Sequence, residues 1–450
     1  MPRSSRLRSV LRTGGLMGIC AVAGGALFNV SAVSQTPQPP ARPPAATQEA
    51  MSLVRSGRQI FRFDDFGDNA FWGGALQLHR AIEGAAHGGV GPGVSPKTAL
   101  GVGLKVDVNA LPRSVRSALR AGRVDLDSPA TTLALLKLNA VVGVKGYFNR
   151  RGTRLQSVGL TCAVCHSTVN NSFAPGIGQR LDGWPNRDLN VGAIVSLAPN
   201  LKPVTDLLAV DAATVKKVLA AWGPGKFDAE LFLDGKGFRP DGKTAATLIP
   251  PAYGLAGVNL HTYTGWGSIP YWNAFVAVLE MHGQGNFTDA RLDDAQKFPV
   301  AARNRMGHTR FNGDKVRQKL PALQAYQLSL AAPRPPGDSF DHAAARRGKR
   351  VFDGKATCAS CHMPPTYSDP GHNLHAPASI CTDDFQAQRS PTNGYRTTPL
   401  GGLGTRTKGG YYHDGRFRTL AQVVQHYNAC FGLGLTAREQ SDIVEYLKSL

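Results

Sequence analysis

The sequence predicts a mainly α-helical chain of two domains, each built around one copy of the pentapeptide Cys-x-x-Cys-His. Three observations carry that expectation. The pentapeptide occurs at Cys162-Ala163-Val164-Cys165-His166 and again at Cys358-Ala359-Ser360-Cys361-His362, 196 positions later. The stretch Ala331-Ala332-Pro333-Arg334-Pro335-Pro336-Gly337 reads as a linker ahead of the second copy. The segments on either side of that second copy carry the three- and four-residue apolar spacing of helices.

Taken in chain order, residues 1–32 read as a secretory signal peptide. Arg3, Arg6, Arg8 and Arg12 form a basic start, an apolar stretch broken by glycines runs from Leu16 to about Val30, and Val30-Ser31-Ala32 places small residues for cleavage. Residues 33–49 follow as a Pro-rich spacer, with QTPQPPARPPAATQ at 35–48 favouring extended polyproline backbone. No apolar run reaches the ~18 residues that a membrane-spanning helix needs, so the expected location is the periplasm, with no transmembrane span. Of the 450 residues, 42% are hydrophobic and 18% charged, enough apolar material for a packed core and against a disordered chain. Lys and Arg exceed Asp and Glu by 20, and the four arginines of the signal would take the mature chain to +16. Export argues against a nucleic-acid partner and for anionic surfaces or acidic redox partners.

The domain at 50–332 carries the first pentapeptide and much extra material. Residues 86–104 are glycine-rich and turn-like, while Val204–Ala221, Asp289–Lys297 (with Thr288 as N-cap) and Leu320–Leu330 read as helices. In the domain at 336–450, the segment from Ala343 places Ala344, Val351 and Phe352 near one face. Thr436 and Glu439 form a capping box ahead of Ile443, Val444, Leu447 and Leu450.

Cys-x-x-Cys-His is the pattern of covalent c-type haem attachment. Two thiols add to the two haem vinyl groups, and the next His becomes the proximal iron ligand. With 7 Cys and 12 His in the chain, one chance match has an expectation of about 0.003. A zinc site would want closer cysteine pairs, and a redox Cys-x-x-Cys needs no adjacent His. The expectation is therefore two cytochrome c-like domains, each with one covalently bound c-type haem, the N-terminal domain enlarged by long loops. Cys162, Cys165, Cys358 and Cys361 would hold the haems, and His166 and His362 the irons. Cys20 leaves with the signal. Cys381 and Cys430 are left as a disulfide or as two independent thiols.

The sixth iron position decides between electron transfer and chemistry. Past the signal the methionines are Met51, Met281, Met306 and Met363. Met363 directly follows His362 and cannot reach the opposite face of that haem. The second iron is thus left with His372, His375, His413, His426, a tyrosine or nothing. The first is left with His261, Met281, His282, Met306, His308 or an open site.

Gly409-Gly410-Tyr411-Tyr412-His413-Asp414-Gly415-Arg416-Phe417-Arg418-Thr419-Leu420 resembles the aromatic-x-His-Asp-Gly…Thr-Leu region of bacterial di-haem cytochrome c peroxidases and MauG-like enzymes. Tyr395-Arg396-Thr397-Thr398-Pro399-Leu400 resembles that family's lead-in. The resemblance covers about 335–450, with the first haem motif before it. It implies a reactive N-terminal haem and an electron-transferring C-terminal haem. The axial ligand of the latter, Met in the peroxidases and Tyr in MauG-like enzymes, falls on Tyr427, with His426 beside it. The family's Trp-Asp-Gly-Arg segment before a distal Glu is missing. Tyr271-Trp272-Asn273-Ala274 and Glu280-Met281-His282-Gly283 stand there instead. Glu280 or His282 is then the candidate distal acid–base, and Trp272 either an electron bridge between the haems or a core tryptophan. The resemblance also carries a calcium between the haems, with Lys408 and Gly410 in the corresponding region. It further implies hydrogen peroxide or oxygen as reactant, a small redox protein or an organic molecule as the other substrate, and a homodimer. The 196-residue spacing looks more like the haem-dependent rubber oxygenases. A rubber-oxygenase-like haem dioxygenase and a pure electron-transfer cytochrome with both irons six-coordinate are the alternatives to a peroxidase-type oxidoreductase.

Overall fold

A computed structural model describes residues 44–369 and 371–450. The signal peptide, Cys20 and residues 33–43 of the spacer lie outside the described residues. Residues 46–450 form one compact unit, mainly helical. No helix among the described residues is long and apolar enough to cross a membrane.

The longest helix, Ala45–Phe63, opens directly after Pro43 and Pro44. Its first turn therefore occupies residues 45–49, which the sequence assigned to the extended spacer. The prolines end at 44, and the alanine-rich continuation favours helix. Phe61 is fully buried and meets Tyr326 edge to face at 5.5 Å between ring centroids. Tyr326 lies on the helix Leu320–Ser329, as expected for that stretch. Gly57 lets the two helices touch, since a Cβ there would sit 1.9 Å from the Ala322 carbonyl oxygen.

Two expected helices are broken. Val204–Ala221 divides into Lys202–Leu208 and Ala212–Trp222, because Ala209 turns left-handed at φ 56° and Asp211 caps the second helix through Thr214 N–H at 2.7 Å. Capping at Asp211 turns Val215, Val218, Leu219 and Trp222 into the core. Asp289–Lys297 is only a 3₁₀ turn, Ala290–Asp293. Asp289 itself is the cap, accepting from Arg291 N–H at 3.0 Å, and Thr288 is not. Pro299 then starts a new helix, Pro299–Arg303.

Among the described residues, eight short strands pair into four two-stranded ladders. The largest is the antiparallel pair Val144–Phe148 with Leu155–Leu160, which leads straight into the first haem motif.

In the tail, helices His342–Asp353 and Ala437–Lys448 cross at Gly348, where a Cβ would lie 1.9 Å from the Asp442 carbonyl oxygen. Arg347 clamps the crossing with two bonds to the Asp442 carboxylate, 2.6 and 2.8 Å. The Thr436–Glu439 capping box forms as expected, and Thr419 with Gln422 makes a second at the start of Leu420–Cys430. Phe352, Leu420, Val424, Ile443, Tyr446 and Leu447 make the core here, separate from the apolar clusters of residues 54–330. Cys381 and Cys430 are joined by a disulfide, Cα to Cα 6.1 Å, which closes the question left open for these two thiols.

Candidate haem sites

The first motif follows strand Leu155–Leu160 through Thr161, whose hydroxyl donates to the Arg62 carbonyl at 3.2 Å. Cys162 opens the one-turn helix Ala163–His166. Gly143, at φ 79°, brings its backbone against Val164, where a Cβ would meet N at 2.2 Å. Asn186 holds the motif from the other side. Its backbone N–H donates to the Cys165 carbonyl at 2.8 Å and its side-chain amide to the Val164 carbonyl at 3.3 Å.

Cys162, Cys165 and His166 line a cavity of about 380 Å³ whose walls are mainly Leu, Val, Ile and aromatic side chains. Burial pushes both thiols up to about 12, so they stay as neutral thiols. Burial pushes His166 down to about 4 against the Pro250 carbonyl, which keeps the imidazole neutral and able to bind a metal. Its Nδ1 is buried without a hydrogen-bond partner.

Trp272, Glu280 and His282 all reach the same cavity, although they lie more than a hundred residues from the motif. Glu280 is 6% exposed and neither carboxylate oxygen has a partner. Burial first, and then the negative groups Glu230 and Asp228, hold its pKa well above the usual range, so it carries its proton. His282 sits at φ 58° and stacks on Phe71 with 3.7 Å between centroids. Burial brings it down to about 4, which leaves a neutral ring. Trp272 is buried, its indole N–H unpartnered, against Trp266 at 5.4 Å and Phe275 at 4.8 Å. Of the other iron ligands that the sequence offers, His261 also lines the cavity but is engaged through Nε2 with the Val258 carbonyl at 3.1 Å, His308 pairs with Asp293 at 2.7 Å, and Met306 packs in the core. Sequence reasoning missed Phe71, Glu230, Gln386 and Arg396, which also line the cavity. For Glu230 a signal existed: it interrupts the apolar run Ala229–Leu233, which Asp228 and Asp234 flank.

At the second motif, Cys358–Ser360 forms a 3₁₀ turn after the helix His342–Asp353. His362 Nδ1 lies 2.9 Å from the Tyr367 carbonyl oxygen. A carbonyl only accepts, so Nδ1 carries the proton and Nε2 is left with its lone pair for iron. Tyr427 is close enough to Cys358 and Cys361 for the thiols to act on its hydroxyl, and burial raises its pKa. It stacks on Phe431 at 5.6 Å. His426 looks elsewhere: its ring meets Phe417 at 4.9 Å and Tyr412 at 5.6 Å, and the groups that act on it are Arg416 and the Cys381 carbonyl. His372 is exposed. His375 bonds Asp369 at 2.6 Å and Thr397 at 2.9 Å, and His413 stacks on Tyr395.

Both motifs fit haem c. Four free thiols stand in two Cys-x-x-Cys pairs, each followed by a neutral imidazole, and the first pair opens on an apolar cavity with orphaned polar atoms. Calcium does not fit the region expected for it. Asp383, His413 and Asp414 converge there, but Arg239 and Arg416 neutralise both carboxylates, and Lys408 pairs with Asp188 at 2.6 Å.

No protein-family model matches the chain. Among curated proteins it is 29% identical over 221 residues to cytochrome-c peroxidase IdrP1 of Denitromonas iodatirespirans, covering 38% of this chain and 58% of that protein. It is 25% identical over 244 residues to the methylamine utilization protein MauG of Methylorubrum extorquens, covering 45% and 63%. These two relatives support a likeness to the MauG/di-haem peroxidase-like superfamily. The chain spans about three-fifths of their length. Two solved structures are also similar. A MauG-like protein associated with microbial copper homeostasis has TM-score 0.31 and 18% identity, covering 49% of this chain and 81% of its own. Kuenenia stuttgartiensis hydrazine synthase has TM-score 0.29 and 19% identity, covering 48% and 76%. Residues 336–450 contain no methionine other than Met363, which directly follows His362.

Proposed function

We propose that this chain is an exported di-haem c-type oxidoreductase that activates hydrogen peroxide or oxygen at the Cys162–His166 haem and moves electrons through the Cys358–His362 haem. One observation carries the reading: the protonated, unpartnered carboxyl of Glu280 faces the cavity that the first motif lines. An electron carrier with two closed irons has no use for such a group, and it costs stability to keep there.

Bound haem supplies an iron that accepts an oxygen ligand and exchanges electrons. Everything else is the work of the chain. His166 would hold the iron from the wall that carries the motif. Glu280 donates its proton to the departing oxygen when an O–O bond breaks. His282, neutral and fixed by Phe71, forms a wall that can accept a hydrogen bond without competing as an acid. The apolar lining excludes bulk water and strengthens the Glu280 interaction. Trp272, packed on Trp266 and Phe275, offers an aromatic route for an electron leaving the cavity. At the second motif, Tyr427 would hold the iron through its phenolate oxygen, a hard anionic donor that would favour the ferric state.

Haem counting tests the foundation of this reading. The purified protein should carry two covalent haems per chain by pyridine haemochrome and intact mass. Replacing both cysteines of either motif by alanine should leave one. A single haem in the parent protein would overturn the proposal.

A further inference from the structure

Behind the cavity the structure concentrates more acid than it neutralises. Asp228, Glu230, Asp234 and Glu280 are 0%, 6%, 5% and 6% exposed. They come from two places in the chain, the turn at 228–234 and the segment Val276–Glu280. The cation that reaches them is Arg389, itself 1% exposed and supplied by the C-terminal region. Its guanidinium holds Asp234 at 2.8 and 3.0 Å and Asp228 at 3.0 Å, and its remaining donors go to the Lys236 and Ala245 carbonyls. Two aspartates on one guanidinium already leave a negative charge. Ionising both glutamates would place three uncompensated charges in a dry interior, and like charges at such range suppress each other's ionisation. Glu230 and Glu280 line the same cavity, together with Gln386, whose amide bonds to Glu230.

We propose that Glu230 and Glu280 are a proton-sharing acid pair, in which Glu230 restores the proton that Glu280 gives into the cavity, against the fixed charge of Asp228, Asp234 and Arg389. The proposal rests on the reading of Glu280 as the cavity acid. The balance is simple. The Glu280 O–H bond breaks as its proton joins the departing oxygen. The Glu230 O–H bond then breaks as its proton passes through water in the cavity to the Glu280 carboxylate. A proton from bulk solvent, delivered as hydronium, restores Glu230 and leaves water. No electron moves in these steps. The charged groups acting on Glu230 are Arg389, which favours ionisation, and Asp228, which opposes it. Those acting on Glu280 are Glu230 and Asp228, and both oppose it. Burial raises both glutamates, Glu230 to about 7 and Glu280 well above the usual carboxylate range, so both hold protons on the acid side of neutrality. Glu230 is here a positioning and proton-supplying residue, since it acts through Glu280.

Infrared spectroscopy of the ferric holoprotein across pH tests the pair without any turnover. Two protonated-carboxyl bands should be present below neutral pH, one lost in Glu230→Gln and the other in Glu280→Gln. In Glu230→Gln the surviving band should titrate at lower pH than in the parent, because a negative neighbour has been removed. Glu230→Ala makes the same measurement if the first variant fails to fold. A surviving band that does not move in either Glu230 variant overturns the proposal. With peroxide, Glu230→Gln should leave the first turnover intact and slow the steady state by about 10²-fold, the low end of proton-transfer effects, and Glu230→Asp should restore much of it. A parent protein inert to peroxide, but with the coupled bands present, would refute the functional reading and leave the acid pair standing.

Discussion

Glu280→Gln lowers the peroxide-driven rate of the holoprotein by about 10²–10⁴-fold, the usual range for loss of a positioned general acid, with both haems still attached. The amide keeps the shape of the side chain but has no proton to give. Burial and the neighbouring Glu230 and Asp228 keep the parent carboxyl protonated through neutral pH. The neutral form is the donor, so the parent rate is flat in acid and falls as pH rises through the elevated pKa of Glu280. In Glu280→Gln that alkaline limb disappears along with the rate. Stopped-flow traces of haem absorbance after mixing with peroxide, taken across pH, check both statements. A variant that keeps parent rates, or keeps the alkaline limb, removes Glu280 from the chemistry.

Tyr427→Met raises the reduction potential of the second haem by on the order of hundreds of millivolts, a large part of the ~0.8 V that axial ligation spans. An anionic phenolate stabilises ferric iron, whereas a neutral, soft thioether favours ferrous iron. Tyr427 is the group on the thiol side of helix Leu420–Cys430. It senses Cys358 and Cys361, while its neighbour His426 senses Arg416 and the Cys381 carbonyl. A spectroelectrochemical titration of parent and variant measures the shift, and the tyrosinate charge-transfer band of the ferric parent should be lost in Tyr427→Met. An unchanged potential assigns the ligand to another residue.

The parts of this molecule that the sequence made legible are local. Each Cys-x-x-Cys-His is a five-residue statement of its own chemistry, and the Thr436–Glu439 capping box names the start of a helix within four residues. The tail could be read because its packing is written at helical spacing, with Gly348 the one residue that lets two helices touch. The cavity was not legible in the same way. Glu280 and His282 could be nominated from their neighbourhood, but only folding brings them beside Cys162 and His166. Arg389 lies 155 positions from the Asp234 it pairs with, and no local pattern joins them. The errors in the N-terminal region have equally local causes. Asp211 and Asp289 cap where an unbroken helix was expected. Strands such as Val106–Asp107, two residues long, are too short to alternate visibly.

The central claim is that one iron in this chain is open to peroxide while the other is closed. Electron paramagnetic resonance of the ferric holoprotein, recorded before and after one equivalent of peroxide and again in the half-reduced form, tests it most directly. The account predicts a high-spin signal from the first haem that disappears on adding peroxide, beside a second signal from the closed haem. Two low-spin signals that ignore peroxide in both the oxidised and the half-reduced forms would contradict it and make the protein an electron carrier.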